Sequence, residues 1–559
     1  MGAGLLASTA SAFDVKAWQS TRDSIHTMTF PEDSYADISS KENIGISFSG
    51  GGDRAFTASI GYLAGIHELG LIDNVKYMVG VSGGSWATMV YSYYQDESVS
   101  DSVMLGPVVA PEDIVRDDLQ EMAPGCVRAY PATSYKWLDG YSFEDNLDGI
   151  QEIYLDPSGL SRGKAFSYND ATVSDIVSRN PSLSSSDFYR IRGINSNNAN
   201  IDKRPFPIAA TTMVGPHDML PATPDNRQYT ILEFTPLSVG VAHTDQITYF
   251  MDDDHSDTRT LTVGGLVEPY AFGGATPPST GLGSSEKHGR LSVPDTDVVC
   301  DLALAVGSSS YAMGCFYAAS DLSSAQNNVG QRNYFSPSHA TPSSEFEVMA
   351  LADGAGVQNT NVISLLQRNV AKMILFVQTS TPMSMSSDWN PASDTLSGDY
   401  VDFTIPALFG HIATDVSFVG EDSFDLIGSQ VFAYDEWVPL AQEMQRKQAE
   451  GKGIVVSTRH TTVANEKFGI EAGRTVDVVW VYLGRSTVWE SQLSAEMQDL
   501  VIPENNPEDL ASLRKNGPFD DFPHYTTTVA SINEERANLL ANLCGWLIKE
   551  HSATFSSVI

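Results

Sequence analysis

The sequence predicts an α/β fold built on a mostly parallel central sheet with helices on both faces, and three stretches carry that prediction. Ile44 to Phe48 is a short apolar run of β type that meets three glycines, and DRAFTASIGYLAGIHELGLI follows with apolar residues at helical spacing. The pattern repeats at once: Tyr77 to Val81 reads as a buried strand, Ser82 to Ser85 as a tight turn, and WATMVYSYYQ as a helix. Two consecutive strand-turn-helix units imply neighbouring parallel strands with both turns at the same edge of the sheet. From Glu345 onward, FEVMALADGAG reads as a strand ending at Asp353 in a glycine turn.

The remaining elements follow in order. Residues 1–40 lack strong periodicity and are expected to form an arm on the core, and 41–559 a single catalytic domain. Insertions are expected around 95–230, marked by LDPSGLSRG and INSNNANIDKRP, and around 245–345, marked by the acidic MDDDHSD and by GGATPPSTGLGSSEKHG. AKMILFVQT is a further buried strand, Leu440 to Gln448 a helix closed by Gly451, and GIVVST and DVVWVYL are strands. A last amphipathic helix covers INEERANLLANLCGWLIKEH.

Composition narrows the function. With 70 acidic and 33 basic residues the formal net charge is −37, a field that repels nucleic-acid phosphates and anionic lipid, so no nucleic-acid partner is expected. Cys126, Cys300, Cys315 and Cys544 form neither a disulfide framework nor a C-x-x-C pair. There is no run of about 18 apolar residues, so no transmembrane segment is expected. The N-terminal run lacks the basic region of a signal peptide, and no N-x-[ST] acceptor occurs, the nearest being Asn180-Pro181-Ser182. The run Asp252-Asp253-Asp254-His255 lacks a calcium-loop pattern and reads as a solvated charged loop; no metal and no cofactor are expected.

A serine hydroxyl is a weak nucleophile at neutral pH and needs exposure, strain into reach and a proton acceptor. Gly80-Val81-Ser82-Gly83-Gly84 has the G-x-S-x-G form that supplies the exposure, with Ser82 at a helix N-terminus where free N–H groups favour negative charge. Ser49-Gly50-Gly51-Gly52 supplies a second glycine turn, and Gly51 and Gly52 are the candidate oxyanion donors. A nucleotide-phosphate loop is the rival for this turn, but neither G-x-x-x-x-G-K-[ST] nor G-x-G-x-x-G fits. Arg54 either binds a substrate phosphate, supports developing charge or ties the loop down by a salt bridge; with Gly83 it is a candidate for substrate binding. Asp353 places a carboxylate at the edge where strand ends gather. His67, His411 and His524 stand in no motif that marks a catalytic base.

SFSGGGDRA, YMVGVSGGSW and LADGAGVQN resemble, in order and spacing, the catalytic motifs of the cytosolic phospholipase A family and of fungal lysophospholipase (phospholipase B). Weaker echoes at ILEFTPLSVG, YAFGG, NEKFGI, VDVVWVYL and DDFPHYTT extend the likeness over roughly residues 43–545. The resemblance implies a patatin-like three-layer core with an inserted cap or lid, and a Ser-Asp dyad without a catalytic histidine. By motif position Ser82 would be the nucleophile and Asp353 the base; Gly51 and Gly52 would form the oxyanion hole, with Arg54 at phosphate or oxyanion. It further implies cleavage of fatty acyl esters of glycerophospholipids or lysophospholipids at a membrane or micelle surface through an acyl-enzyme, acyl transfer to an alcohol being the alternative. A catalytically silent lipid-binding relative is a third reading. The implied setting is cytoplasmic or peripherally membrane-associated, with secretion as the alternative. Relatives often carry a bulkier or aromatic residue where this chain has Asp53, and a glycine or serine where it has Ala355. With about 40 residues ahead of the first strand, no calcium-binding membrane module is expected.

Overall fold

The computed structural model describes residues 12–20, 28–132, 141–194, 198–223, 227–243, 246–250, 256–283, 286–294, 299–415, 424–526 and 532–559. Among them, thirteen strands join one sheet. In chain order these are β1 (Ala12–Trp18), β2 (Ile44–Phe48), β3 (Tyr77–Val81), β4 (Phe206–Pro216), β5 (Thr230–Phe234), β6 (Val239–Val241) and β7 (Gly265–Val267). They continue with β8 (His288–Pro294), β9 (Gly330–Tyr334), β10 (Glu347–Asp353), β11 (Lys372–Val377), β12 (Ile454–Thr461) and β13 (Thr475–Tyr482). The order across the sheet is β8-β1-β7-β6-β5-β4-β3-β2-β11-β13-β12, with β10 also on β4 and β9 on β10.

The centre of this sheet is parallel, β13, β11, β2, β3 and β4 running the same way, and antiparallel strands flank it on both sides. Every residue of β2, β3 and β4 is buried. Successive side chains of a strand face opposite sides, so both faces of the central sheet are covered, which is why these runs are mostly apolar or small and do not alternate with charged residues. Helix α1 (Gly52–Glu68) follows β2 and α2 (Gly83–Tyr93) follows β3, as the repeated strand-turn-helix pattern predicts.

Helices α3 (Leu302–Ser309) and α4 (Ala312–Ala319) lie beside β4 and β10: the Ser309 hydroxyl donates to the Ala210 carbonyl at 2.6 Å, and a methyl on Gly314 would stand 2.9 Å from that of Ala352. Helix α5 (Trp437–Ala449) begins three residues before the expected start and stops ahead of Gly451, whose φ of +72° suits glycine. Helix α6 (Glu534–Glu550), expected to be amphipathic, is buried along most of its length. It lies backbone to backbone on α1, since a Cβ on Gly61 would come within 2.4 Å of the Ala541 carbonyl oxygen and one on Gly65 within 2.6 Å of Ile548 Cβ.

Three stretches differ from expectation, the first being 245–345, expected as an insertion, which carries β7, β8 and β9 of the main sheet. The arm expected over residues 1–40 contributes β1, a strand of the main sheet paired along its length with β8; Phe13, Val15 and Ala17 alternate inward, a pattern too short to stand out in the sequence. The stretch 95–230, expected as an insertion, carries β4 at the heart of the sheet. Its sequence FPIAATTMVGP holds two prolines and two threonines next to a loop-like neighbourhood, which masks the strand. No single helix among the described residues is long and apolar enough to cross a membrane.

Candidate active site

β4 is longer than its neighbours, and that length creates the site. Along one edge, residues Phe206 to Ala210 pair with β3 in parallel and Thr211 to Pro216 pair with β10 in antiparallel fashion, while β5 holds the opposite edge. Two strands running toward each other along the same edge meet end to end. Val81 lies opposite Ala210 and Asp353 opposite Thr211, so Ser82 and Asp353 leave their strands at the same point.

Ser82 adopts φ 52° and ψ −128°, a region that L-residues avoid at a cost of roughly 1–3 kcal/mol. The surroundings hold it there. Its N–H donates to both the carbonyl and the hydroxyl oxygen of Ser309, each at 3.1 Å, and its carbonyl accepts from the Ser85 N–H at 2.8 Å and the Ser85 hydroxyl at 2.7 Å. The flanking glycines are steric requirements: a Cβ on Gly83 would fall 2.1 Å from the Gly52 carbonyl oxygen, and one on Gly84 2.3 Å from that of Phe48. The two glycine turns therefore touch main chain to main chain.

Asp353 is buried, and its Oδ1 accepts the Ala355 N–H at 2.9 Å. Burial pushes its carboxyl up to about 6, against the pull of the Ala355 N–H and of the Ser82 hydroxyl, which donates to it. The Asp353 N–H is fixed on the Tyr311 carbonyl at 3.1 Å, and its carbonyl accepts the Thr212 hydroxyl at 2.7 Å.

The first glycine turn runs beside this pair. Gly51 (φ 137°) and Gly52 (φ 56°) hold conformations that favour glycine, and neither amide has a hydrogen-bond partner among the described residues. Gly50 lies so close to the serine that a Cβ on it would stand 2.8 Å from Ser82 Cβ, and its N–H donates to Asn359 Oδ1 at 2.9 Å. Asp53, the departure at the start of α1, accepts the hydroxyl of buried Tyr154. Arg54 is 3% exposed, donates from Nε to the Gln378 carbonyl at 3.0 Å and from Nη1 to the Tyr525 carbonyl, and its basicity is lowered by burial to about 10. A strained serine hydroxyl, a carboxylate of raised proton affinity and two unpartnered amides thus share one corner of the sheet, the groups that acyl transfer requires.

None of His67, His411 and His524 hydrogen-bonds to Ser82 or Asp353. His67 Nδ1 is 2.6 Å from Asp202, His411 meets the Tyr434 carbonyl at 2.9 Å and stacks on its ring, and His524 Nδ1 donates to the Thr379 carbonyl at 3.0 Å. Two contributors carry no mark in the sequence reading. Asn359 sits within the third motif without an assigned role, and Ser309 lies in a serine-rich stretch whose composition signals nothing. The acidic run Asp252 to His255 lies outside the described residues.

No family model matches the chain. Over 111 residues it is 37% identical to cytosolic phospholipase A2 zeta of Mus musculus, a stretch that is 19% of this chain and 13% of that protein. Over 88 residues it is 36% identical to cytosolic phospholipase A2 beta of Homo sapiens, 16% of this chain and 11% of that one. The matched stretches therefore span less than a fifth of these relatives' length. Superposition on the solved structure of human GIVD cytosolic phospholipase A2 covers 92% of this chain and 59% of that one, with a TM-score of 0.42 and 15% identity.

Proposed function

We propose that this relative of the cytosolic phospholipase A2 proteins is a serine acyl hydrolase that cleaves fatty acyl esters of lysophospholipids or glycerophospholipids presented at a membrane or micelle surface. The observation that carries the reading is the strained Ser82 with its hydroxyl on a buried Asp353 carboxylate. Asp353 takes the hydroxyl proton as Ser82 Oγ attacks the acyl carbonyl carbon. The oxygen of the tetrahedral intermediate then develops its negative charge beside the Gly51 and Gly52 amides; one such donor is typically worth about 3 kcal/mol in the transition state. Collapse breaks the ester bond, Asp353 returns the proton to the departing alcohol oxygen, and an acyl-Ser82 ester remains. Water, deprotonated by the same carboxylate, attacks that ester, and Asp353 returns the proton to Ser82 Oγ as the fatty acid leaves and the free serine is restored. A carboxyl near 6 suits this double duty, being largely ionised at neutral pH yet more basic than an exposed aspartate.

The reading is tested by turnover of phosphatidylcholine and lysophosphatidylcholine together with labelling by a fluorophosphonate probe. Wild type is expected to turn over at least one lipid and to take the label, Ser82→Ala to do neither, and Asp353→Asn to lose turnover by about a thousand-fold or more. Full activity in Asp353→Asn would remove the dyad, and the absence of any label on wild type would favour a lipid-binding protein. An added alcohol acceptor separates transfer from hydrolysis by the product formed.

A further inference from the structure

Within DDFPHYTT, which echoes the family motifs, His524 and Tyr525 take no part in the dyad, yet they end up against the glycine turn at Gly51. His524 and Tyr525 are both buried. His524 donates from Nδ1 to the Thr379 carbonyl at 3.0 Å; the Tyr525 carbonyl accepts from Arg54 Nη1; and Arg54 Nε donates to the Gln378 carbonyl at 3.0 Å. Gln378 and Thr379 are neighbours in the chain, as are His524 and Tyr525, so these three hydrogen bonds close a ring through Arg54. The ring is fastened to the glycine turn as well. The Gln378 N–H donates to the Ser49 hydroxyl at 2.8 Å, and a Cβ on Gly51 would lie 2.9 Å from the Gln378 carbonyl oxygen and 2.5 Å from Arg54 Nη2.

A guanidinium that grips a phosphate presents two parallel N–H donors to it. Here Nε and Nη1 are already bonded to main-chain carbonyls, Nη2 lies against the Gly51 backbone, and the side chain is closed off from solvent. Removing either end of the ring would free the Gln378–Thr379 backbone, which forms the floor under Gly51.

We propose that Arg54 and His524 are positioning residues that hold the Gly51-Gly52 turn in register with Ser82 through this ring, and that Arg54 does not bind the substrate's phosphate. The inference rests on the acyl hydrolase reading. It predicts a loss that is blind to the head group, because the turn meets the acyl carbonyl of every ester alike.

The test uses the full chain and two esters of one fatty acid, lysophosphatidylcholine and the phosphate-free monoacylglycerol, with fluorophosphonate labelling rates alongside. Arg54→Lys and His524→Leu are expected to lower kcat on both esters by the same factor, about ten- to a hundred-fold, with KM nearly unchanged and labelling slowed in parallel. His524→Asn, whose amide N–H replaces the Nδ1 donor, is expected to recover most of the rate. A rise in KM confined to lysophosphatidylcholine in Arg54→Lys would overturn the inference by showing a phosphate contact, as would a wild-type kcat in His524→Leu. Should His524→Leu not fold, Arg54→Lys decides alone: an equal loss of kcat on both esters supports the inference, and a wild-type kcat or a KM rise confined to lysophosphatidylcholine overturns it. A wild type that turns over neither ester and takes no label removes the hydrolase reading, and this inference with it.

Discussion

Asp353 is kept in a place that disfavours its ionised form, the form the proposed base needs. Its carboxyl titrates near 6 in the folded protein against 3.8 for the unperturbed group, because burial penalises the charge. A folded-state value above the unfolded one means that the group's contribution to stability is intact below 3.8 and is lost as pH rises through about 6. The cost of holding the anion at neutral pH is then about 3 kcal/mol. Asp353→Asn, which removes that charge at constant shape, is expected to raise the urea midpoint at pH 8 and to leave it nearly unchanged at pH 4 while abolishing turnover; equal midpoints for the two proteins at pH 8 would refute this. The same value sets the activity profile. The kcat/KM of wild type is expected to rise with pH and level off above about 6, and a flat profile from pH 5 to 8, measured under first-order conditions, would exclude Asp353 as the base.

Among the elements, the decisive contact is between the two glycine turns. A methyl on Gly83 would penetrate the Gly52 carbonyl, a main-chain atom that cannot swing aside as a long side chain could. Gly83→Ala is therefore expected to lower stability by about 1–3 kcal/mol and to cost most of the turnover, and an alanine protein with an unchanged denaturation midpoint would show that the turns have room to part. These turns were also the most legible part of the sequence. β2 and β3 are buried on both faces, so each is a run of mostly apolar and small residues free of charge, and each leads into glycines that the close approach of main chains demands. The strand before Asp353 reads for the same reason. β4 does not, although it aligns both halves of the site, because its prolines and threonines resemble turn chemistry. The Ser309 contact, the pairing of Gly50 with Asn359 and the ring through His524 join residues far apart in the chain, and single-sequence periodicity holds no trace of such tertiary partners.

For the whole molecule the dominant fact is a net charge of −37. A protein of this sign meets an electrostatic barrier at an anionic bilayer and none at a zwitterionic one. Turnover on phosphatidylcholine vesicles is expected to exceed that on vesicles containing phosphatidylserine at low ionic strength. The gap should narrow as salt rises, since screening shortens the reach of these charges to about 10 Å at 0.1 M. A preference for anionic vesicles that salt abolishes would instead reveal a local basic patch strong enough to outweigh the rest of the surface.

The ring through Arg54 also ties the candidate site to a late part of the chain. Ser82 and its glycine turns belong to the first sixth of the chain, Asp353 to its middle, and the Tyr525 carbonyl that closes the ring comes near the end. The proposed nucleophile thus precedes its proposed base by 271 positions (353 minus 82), and the carbonyl that closes the ring comes later still, so the site is complete only when segments from three separate parts of the chain have packed together.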